Sequence, residues 1–296
     1  VLAHRLADRL PKRPRLLDLG AGTGSLFRFL APIIARGQDW VLVDANAALL
    51  EDAFGRIAAW ARRQGYAATS PGDTLLVSTP RGLWRMQAAQ RDLTELRAPM
   101  KTTRPLAGEV AERSNAGPTV LRPSPGASRR LLPQAGEVDA ILCSSLLDLV
   151  SRAWLTCLVN ALRVPFLACL TVDGRDTWAP AHPADALVRA AFRRDQQREK
   201  GFGPALGCAA PSVALRLLAA RGFVTASAAS DWHIPRTALR MQHAMIDGTA
   251  DAARNARPSD RQAIAGWQEA RLQQALRARL AIRIGHRDIL ALPPGG

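Results

Sequence analysis

Aromatic residues make up only 5% of this chain, and lysine is confined to Lys12, Lys101 and Lys200. No apolar run reaches the roughly eighteen residues that a membrane span needs, which sets a transmembrane role aside. Residues 1–14 are basic and helical in pattern without an apolar centre, so no signal peptide is read there. The chain begins on Val1 rather than Met, as a trimmed or mis-started fragment would. Cysteine is sparse: Cys143, Cys157, Cys169 and Cys208 stand apart with no C-x-x-C pair. They read as reduced core residues of a cytoplasmic protein. The five histidines show no metal-ligand spacing, so no metal site is expected.

Positive charge is in excess. The formal net charge is +15, carried almost wholly by arginine, and alanine is abundant. That bias suits a GC-rich coding sequence as well as an anionic partner. The arginines are scattered, so a nucleic-acid footprint is the weaker of the two readings. A length of 296 residues is enough for a full core and one or two domains.

The organising stretch is Leu16-Leu17-Asp18-Leu19-Gly20-Ala21-Gly22-Thr23-Gly24-Ser25. Residues 15–19 read as a short buried strand ending in an acid, and 26–35 as a helix with an apolar stripe. Strand, glycine turn and helix form a nucleotide cradle, because glycine lets backbone approach a ligand and a helix start offers unpaired N–H groups. A dinucleotide fingerprint would place its third glycine at position 25 or 27, where Ser25 and Phe27 stand. Roughly twenty residues on, Trp40-Val41-Leu42-Val43-Asp44 is a second strand ending in an acid, where a βαβ nucleotide fold holds the ribose hydroxyls. Asp44 could instead cap the helix read at 47–63.

The D-x-G-x-G-x-G spacing from Asp18 to Gly24 resembles motif I of the class I S-adenosylmethionine-dependent methyltransferases. The resemblance implies a Rossmann-like α/β fold: a mostly parallel seven-stranded sheet, an antiparallel last strand inserted beside its predecessor, and helices on both faces. It implies S-adenosylmethionine as cofactor. Gly20, Ala21, Gly22 and Gly24 would lie under its methionine and ribose, with Asp18 helping to hold the amino group. Asp44 would take the ribose, with Ala45 and Asn46 beside it and Asn46 edging the adenine. Asp92 and the next backbone N–H, Leu93, would read the adenine amino group, unless Asp92 is a solvated loop residue. Ser144 would face the transferred methyl.

Residues 97–136 break the pattern. They hold six prolines, four glycines and no aromatic, with seven basic residues against two glutamates. Such composition cannot bury enough surface to order itself. Pieces of it look like translated repeat elements of some bacterial genomes, which makes it an insertion into a surface loop; a substrate lid or a nucleic-acid arm is the functional alternative. The chain thus divides into 1–96, the first half of the cofactor domain, the insertion 97–136, and 137–296, the second half with cap elements at about 176–210 and 231–283.

Periodic chain resumes with a buried strand at 138–142. After it, Cys143-Ser144-Ser145 lacks the [DN]-P-P-[YF] of amino-directed enzymes, the Pro-Cys nucleophile of RNA cytosine enzymes and the acid of magnesium-dependent ones. A helix is expected over 146–162 with Asp148 in its first turn, where an acid suits the dipole. A strand over 166–172 ends at Asp173-Gly174, helices follow at 185–199, 212–221, 237–253 and 261–281, and strands at 223–229 and 288–292. Asp173 and His182 are the candidate catalytic bases. Ser145, Trp178, Lys200, Phe202 and Trp232 are the candidate substrate contacts, with bland alternatives as turn, surface or core residues. The expectation is a methyltransferase for a small-molecule acceptor. An RNA-directed enzyme using the arginines of 185–199 and of the insertion as phosphate contacts, and a catalytically inactive cofactor-binding protein, are the competing readings.

Overall fold

Four of the five residues of β1 (Arg15–Leu19) are buried, and the sheet grows outward from it on both sides. In this computed structural model residues 1–95 and 137–294 are described, so the expected insertion 97–136 lies outside the described residues. β1 pairs in parallel with β2 (Gln38–Asp44) on one side and β6 (Ala140–Ser144) on the other. β5 (Gly82–Gln90) adds in parallel to β2, and β7 (Phe166–Ala179) to β6. β10 (Ala281–Leu292) lies antiparallel between β7 and β8 (Val224–Ala229). The core order β5-β2-β1-β6-β7-β10-β8 is therefore a Rossmann-like sheet with the inserted antiparallel strand. β3 (Ala67–Thr69) and β4 (Thr74–Thr79) extend the β5 edge by antiparallel pairing, and β9 (Trp232–Ile234) pairs with β10. The chain reverses direction across the sheet at β1 and β6, and open α/β sheets bind ligands beyond the strand ends at such a point.

Side-chain alternation along the strands feeds two cores. Leu16, Trp40, Leu42 and Trp84 join α1 (Leu2–Ala7), α2 (Ser25–Ile34) and α3 (Ala47–Arg63) on one face. Leu17, Leu19, Val43 and Cys143 join α4 (Arg152–Ala161) and α6 (Ala210–Ala220) on the other. Phe27 is wholly buried edge-on to Trp40 at 5.1 Å and to Trp84 at 5.9 Å, an aromatic cluster where α2 meets the sheet.

Several boundaries differ from expectation. β7 does not stop at Asp173-Gly174 but runs on to Ala179, because β10 starts at Ala281, not 288, and pairs along the extra length. Gly285 is required there: a Cβ would collide with Asp173 and Arg175 across the ribbon. The last helix accordingly ends at Leu276. α4 begins at Arg152, not 146, because residues 146–151 form a turn and Ser151 Oγ accepts from Trp154 N at 3.2 Å. Asp148 is thus in that turn and not in a helix.

The protruding β7–β10 ribbon carries a third core, in which Trp178 and Ile282 meet α5 (Asp185–Gln196), α7 (Leu239–Ala256) and α8 (Arg261–Leu276). Its lock is Arg271, fully buried, which pairs with Asp185 at 2.5 Å, donates to the Pro180 carbonyl at 2.6 Å, and lies over the Trp178 and Trp267 rings. Trp267 Nε1 donates to the same Asp185 oxygen at 2.7 Å. Burial pushes the Asp185 carboxyl up, but hydrogen bonds from Arg271, the His182 amide and Trp267 outweigh it and leave it below its ordinary range. No described helix is long and apolar enough to cross a membrane. Arg271→Met leaves Asp185 without its cation, and should cost about 3–5 kcal/mol in urea unfolding; a loss under 1 kcal/mol would show that the pair does not hold the cap.

Candidate functional site

The turn after β1 exists because three glycines adopt left-handed backbone: φ is +69° at Gly20, +51° at Gly22 and +70° at Gly24. A Cβ on Gly22 would meet nothing within 4 Å, so that residue faces open space, whereas one on Gly24 would lie 2.7 Å from Ile57. Gly24 therefore serves the packing of α2 against α3. Ala21, buried, donates its amide to Val43 O at 2.9 Å.

Asp44 ends β2 and ties the turn down. Its Oδ2 accepts from Gly22 N and its Oδ1 from Asn46 N, each at 2.9 Å. Asn46 is the residue that caps α3, its Oδ1 accepting from Ala48 N at 3.0 Å, so its side chain is engaged by the helix and not by the cleft. Asp92 follows β5; Oδ1 accepts from Thr94 N at 2.8 Å. The Thr94 hydroxyl and then the Thr94 amide hold its carboxyl below the ordinary value.

A cleft of about 320 Å³ lies at the carboxyl ends of β1, β2, β5 and β6; Ala21, Gly22, Gly24 and Asn46 are not among its lining residues. Gly20, Asp44, Ala45, Asp92, Leu93, Ser144, Ser145 and Phe202 line it, together with Thr94, Leu146 and Leu149, which the sequence did not single out. Among the described residues, no lysine or arginine lines it. Trp154 Nε1 donates to Leu93 O at 2.6 Å, and the Trp154 ring meets Phe202 edge-on at 5.5 Å, so one indole braces two walls. Glu199 Oε1 holds the Phe202 loop by accepting from Gly201 N at 2.6 Å and Gly203 N at 2.8 Å.

Asp18 is not on that surface. It is fully buried between Leu42 and Leu142 of the neighbouring strands, and neither carboxyl oxygen has a hydrogen-bond partner. Burial, and then the charge of Asp44, push its pKa up to about 8. Asp148 is also buried, with Oδ1 unpartnered. Burial raises it against the lowering fields of Lys200 and His286. Cys143 and Cys169 are pushed up by burial and stay thiols, which removes them as nucleophiles.

A second recess of about 260 Å³ shares Ser144 with the cleft and runs past Leu26 and Phe29 of α2 to Cys169, Leu170 and Asp288. Leu170 has φ +51°, and its amide donates to Asp288 Oδ1 at 2.9 Å; Ser230 Oγ donates to the same oxygen at 2.6 Å. Trp178 and Trp232 are elsewhere, in a third cavity within the cap that shares no lining residue with the other two. Lys200 lines none of the three. Neither expected base reaches the cleft. Asp173 is held by Arg175 at 2.6 Å, in a network that continues to Asp231 and Arg283. His182 accepts from Ala184 N through Nδ1 at 3.1 Å at the start of α5.

No protein-family model matches the chain, and no curated protein matches it. Among solved structures, it resembles a cyclopropane synthase from Mycobacterium tuberculosis, at 12% identity over 98% of this chain and 82% of that one, TM-score 0.39. It also resembles a SAM-dependent methyltransferase from Geobacter sulfurreducens in complex with S-adenosylhomocysteine, at 14% identity over 97% and 87%, TM-score 0.38. A third is geranyl diphosphate C-methyltransferase from Streptomyces coelicolor, at 12% identity over 98% and 79%, TM-score 0.39. Likeness at this level carries nothing about chemistry, which has to be read from the site.

Asp18 makes stability depend on pH. Its folded pKa, about 8, lies above the unfolded carboxyl value of about 4. Its contribution is therefore full below pH ~4 and is lost as pH rises to ~8. Urea midpoints of the ligand-free protein should fall across that window. Asp18→Asn should flatten the slope; an unchanged slope would place the linkage elsewhere.

Proposed function

We propose that this protein is an S-adenosylmethionine-dependent methyltransferase for a small-molecule acceptor. The observation that carries the reading is the sign of the cleft. Asp44 and Asp92 line it, and no basic side chain is among its lining residues within the described part of the chain. Such a cradle repels the phosphates of a dinucleotide and favours a nucleoside carrying positive charge. Gly22 leaves room beside the turn, and the two Asp44 oxygens, each accepting one backbone N–H, keep lone pairs for ribose hydroxyls. Asp92, held ionised by Thr94, is placed for the adenine amino group, with Leu93 as its apolar neighbour.

Bound there, the sulfonium would supply an electrophilic methyl group. The work left to the chain is positioning and exclusion of water. Leu146, Leu149 and Phe202 line the cleft with apolar surface, and Ser144 lines both the cleft and the recess beside α2. An acceptor in that recess would meet Phe29 and Leu26 on its apolar side. Asp288, whose Oδ1 is occupied by Leu170 and Ser230, has Oδ2 to orient a polar group. Against an RNA substrate, three of the four arginines of 189–198 are engaged within the protein: Arg189 by Asp176, Arg193 by the Gly174 carbonyl and Arg198 by Asp195.

Titration calorimetry tests the cradle. S-adenosylhomocysteine should bind, and NADH should not. Asp44→Ala should weaken binding by about 2–3 kcal/mol, some thirty- to 150-fold, by removing charge-assisted bonds to the ligand and the tie to Gly22. Equal affinity in the variant, or tighter binding of NADH, would sink the reading.

A further inference from the structure

The cap encloses a cavity of about 210 Å³ that the cofactor cleft and its recess leave unused. Trp178, Trp232 and Trp267 line it with Val188, Phe192 and Met245. Trp178 and Trp267 meet edge-to-face at 5.1 Å and 66°, which leaves flat aromatic surface on the wall. Charged groups also line it, but each is satisfied within the protein. Arg189 pairs with Asp176 at 3.1 Å, Arg175 with Asp231 at 2.9 Å and Asp185 with Arg271 at 2.5 Å. His286 is buried, and burial lowers its pKa, so it adds no fixed positive charge. A charged guest would have to break one of these pairs; a neutral one would not. Arg193 Nη2 is likewise held, by the Gly174 carbonyl, and its Nε is buried out of a guest's reach.

We infer that this cavity is a second small-molecule site, separate from the cleft, for a neutral, flat aromatic compound. Apolar pockets bind guests of this kind through burial and ring contacts. The site stands whether or not the cleft takes the sulfonium cofactor, since the two share no lining residue.

Tryptophan fluorescence of the full chain reads occupancy directly, because three indoles face the cavity. Titration with 2-naphthol should give a saturable change, and 2-naphthoate should bind at least tenfold more weakly. Val188→Phe, which fills the cavity, and Gln196→Trp, which narrows its rim at a partly exposed position, should each weaken 2-naphthol at least tenfold. Melting temperatures identify any variant that fails to fold, and the rim variant tests the site if the core variant does. Saturating S-adenosylhomocysteine should leave 2-naphthol affinity unchanged. No saturable response, unaltered affinity in the folded variants, preference for the carboxylate, or displacement by S-adenosylhomocysteine would overturn the inference. A failure of S-adenosylhomocysteine to bind at all would count against the cleft and not against this cavity.

Discussion

The hydrogen bond from Gly22 N to Asp44 Oδ2 is the contact on which the site depends. It joins the turn after β1 to the end of β2, and the other oxygen of the same carboxylate fixes Asn46 at the head of α3. One side chain thus sets the relative position of two strand ends and a helix start. A carboxylate accepting two backbone N–H groups is strongly bound and poorly mobile, so the mouth between β1 and β2 is preorganised before any ligand arrives. The left-handed glycines are what let the amide of Gly22 turn toward Asp44.

A contrast in burial gives the cleft its character. Asp44 and Asp92 are engaged by backbone donors, and Asp18 has none and sits among leucines. Two carboxylates at the surface, held by backbone donors, set the sign of the cleft, and the third, beneath them, resists ionising because it is buried. The cap is built on the opposite tactic. Its charges are matched in pairs around Arg271, Arg175 and Arg189, which leaves its cavity apolar in effect despite a polar roster.

Local chemistry made the cofactor side legible in the sequence. Glycines at fixed spacing, an acid closing each of two apolar strands, and serines after a third are short-range signals, and Gly20, Asp44, Asp92, Ser144 and Ser145 do converge on one cleft. Phe202 was legible as the aromatic of a glycine-flanked loop. The rest is long-range. Asp18 reads like any strand-end acid, and only the pairing of β1 with β2 and β6 shows that it is sealed off. Asp173-Gly174 looks like a turn, yet a partner strand over 100 residues away carries β7 past it, with a register shift that sets 173–175 opposite Gly285. Asp288 looked like the start of a strand, and its role at Leu170 follows from an irregular register between β7 and β10 that no composition pattern reveals. Trp178 and Trp232 were recognisable as candidates for binding, but not the cavity to which they belong.

The placement of β10 has a consequence for biosynthesis. It lies between β7 and β8, both of which leave the ribosome before it. Until it arrives, the nascent sheet carries two unpaired edges facing a gap one strand wide, the kind of surface that invites pairing with another chain. The ribbon that supports the cap cannot form before then either, since β10 is half of it. Completion of the sheet and erection of the cap are therefore a single late event in the life of the polypeptide, and a chain stalled before that point would carry a formed glycine turn on an open, adhesive scaffold.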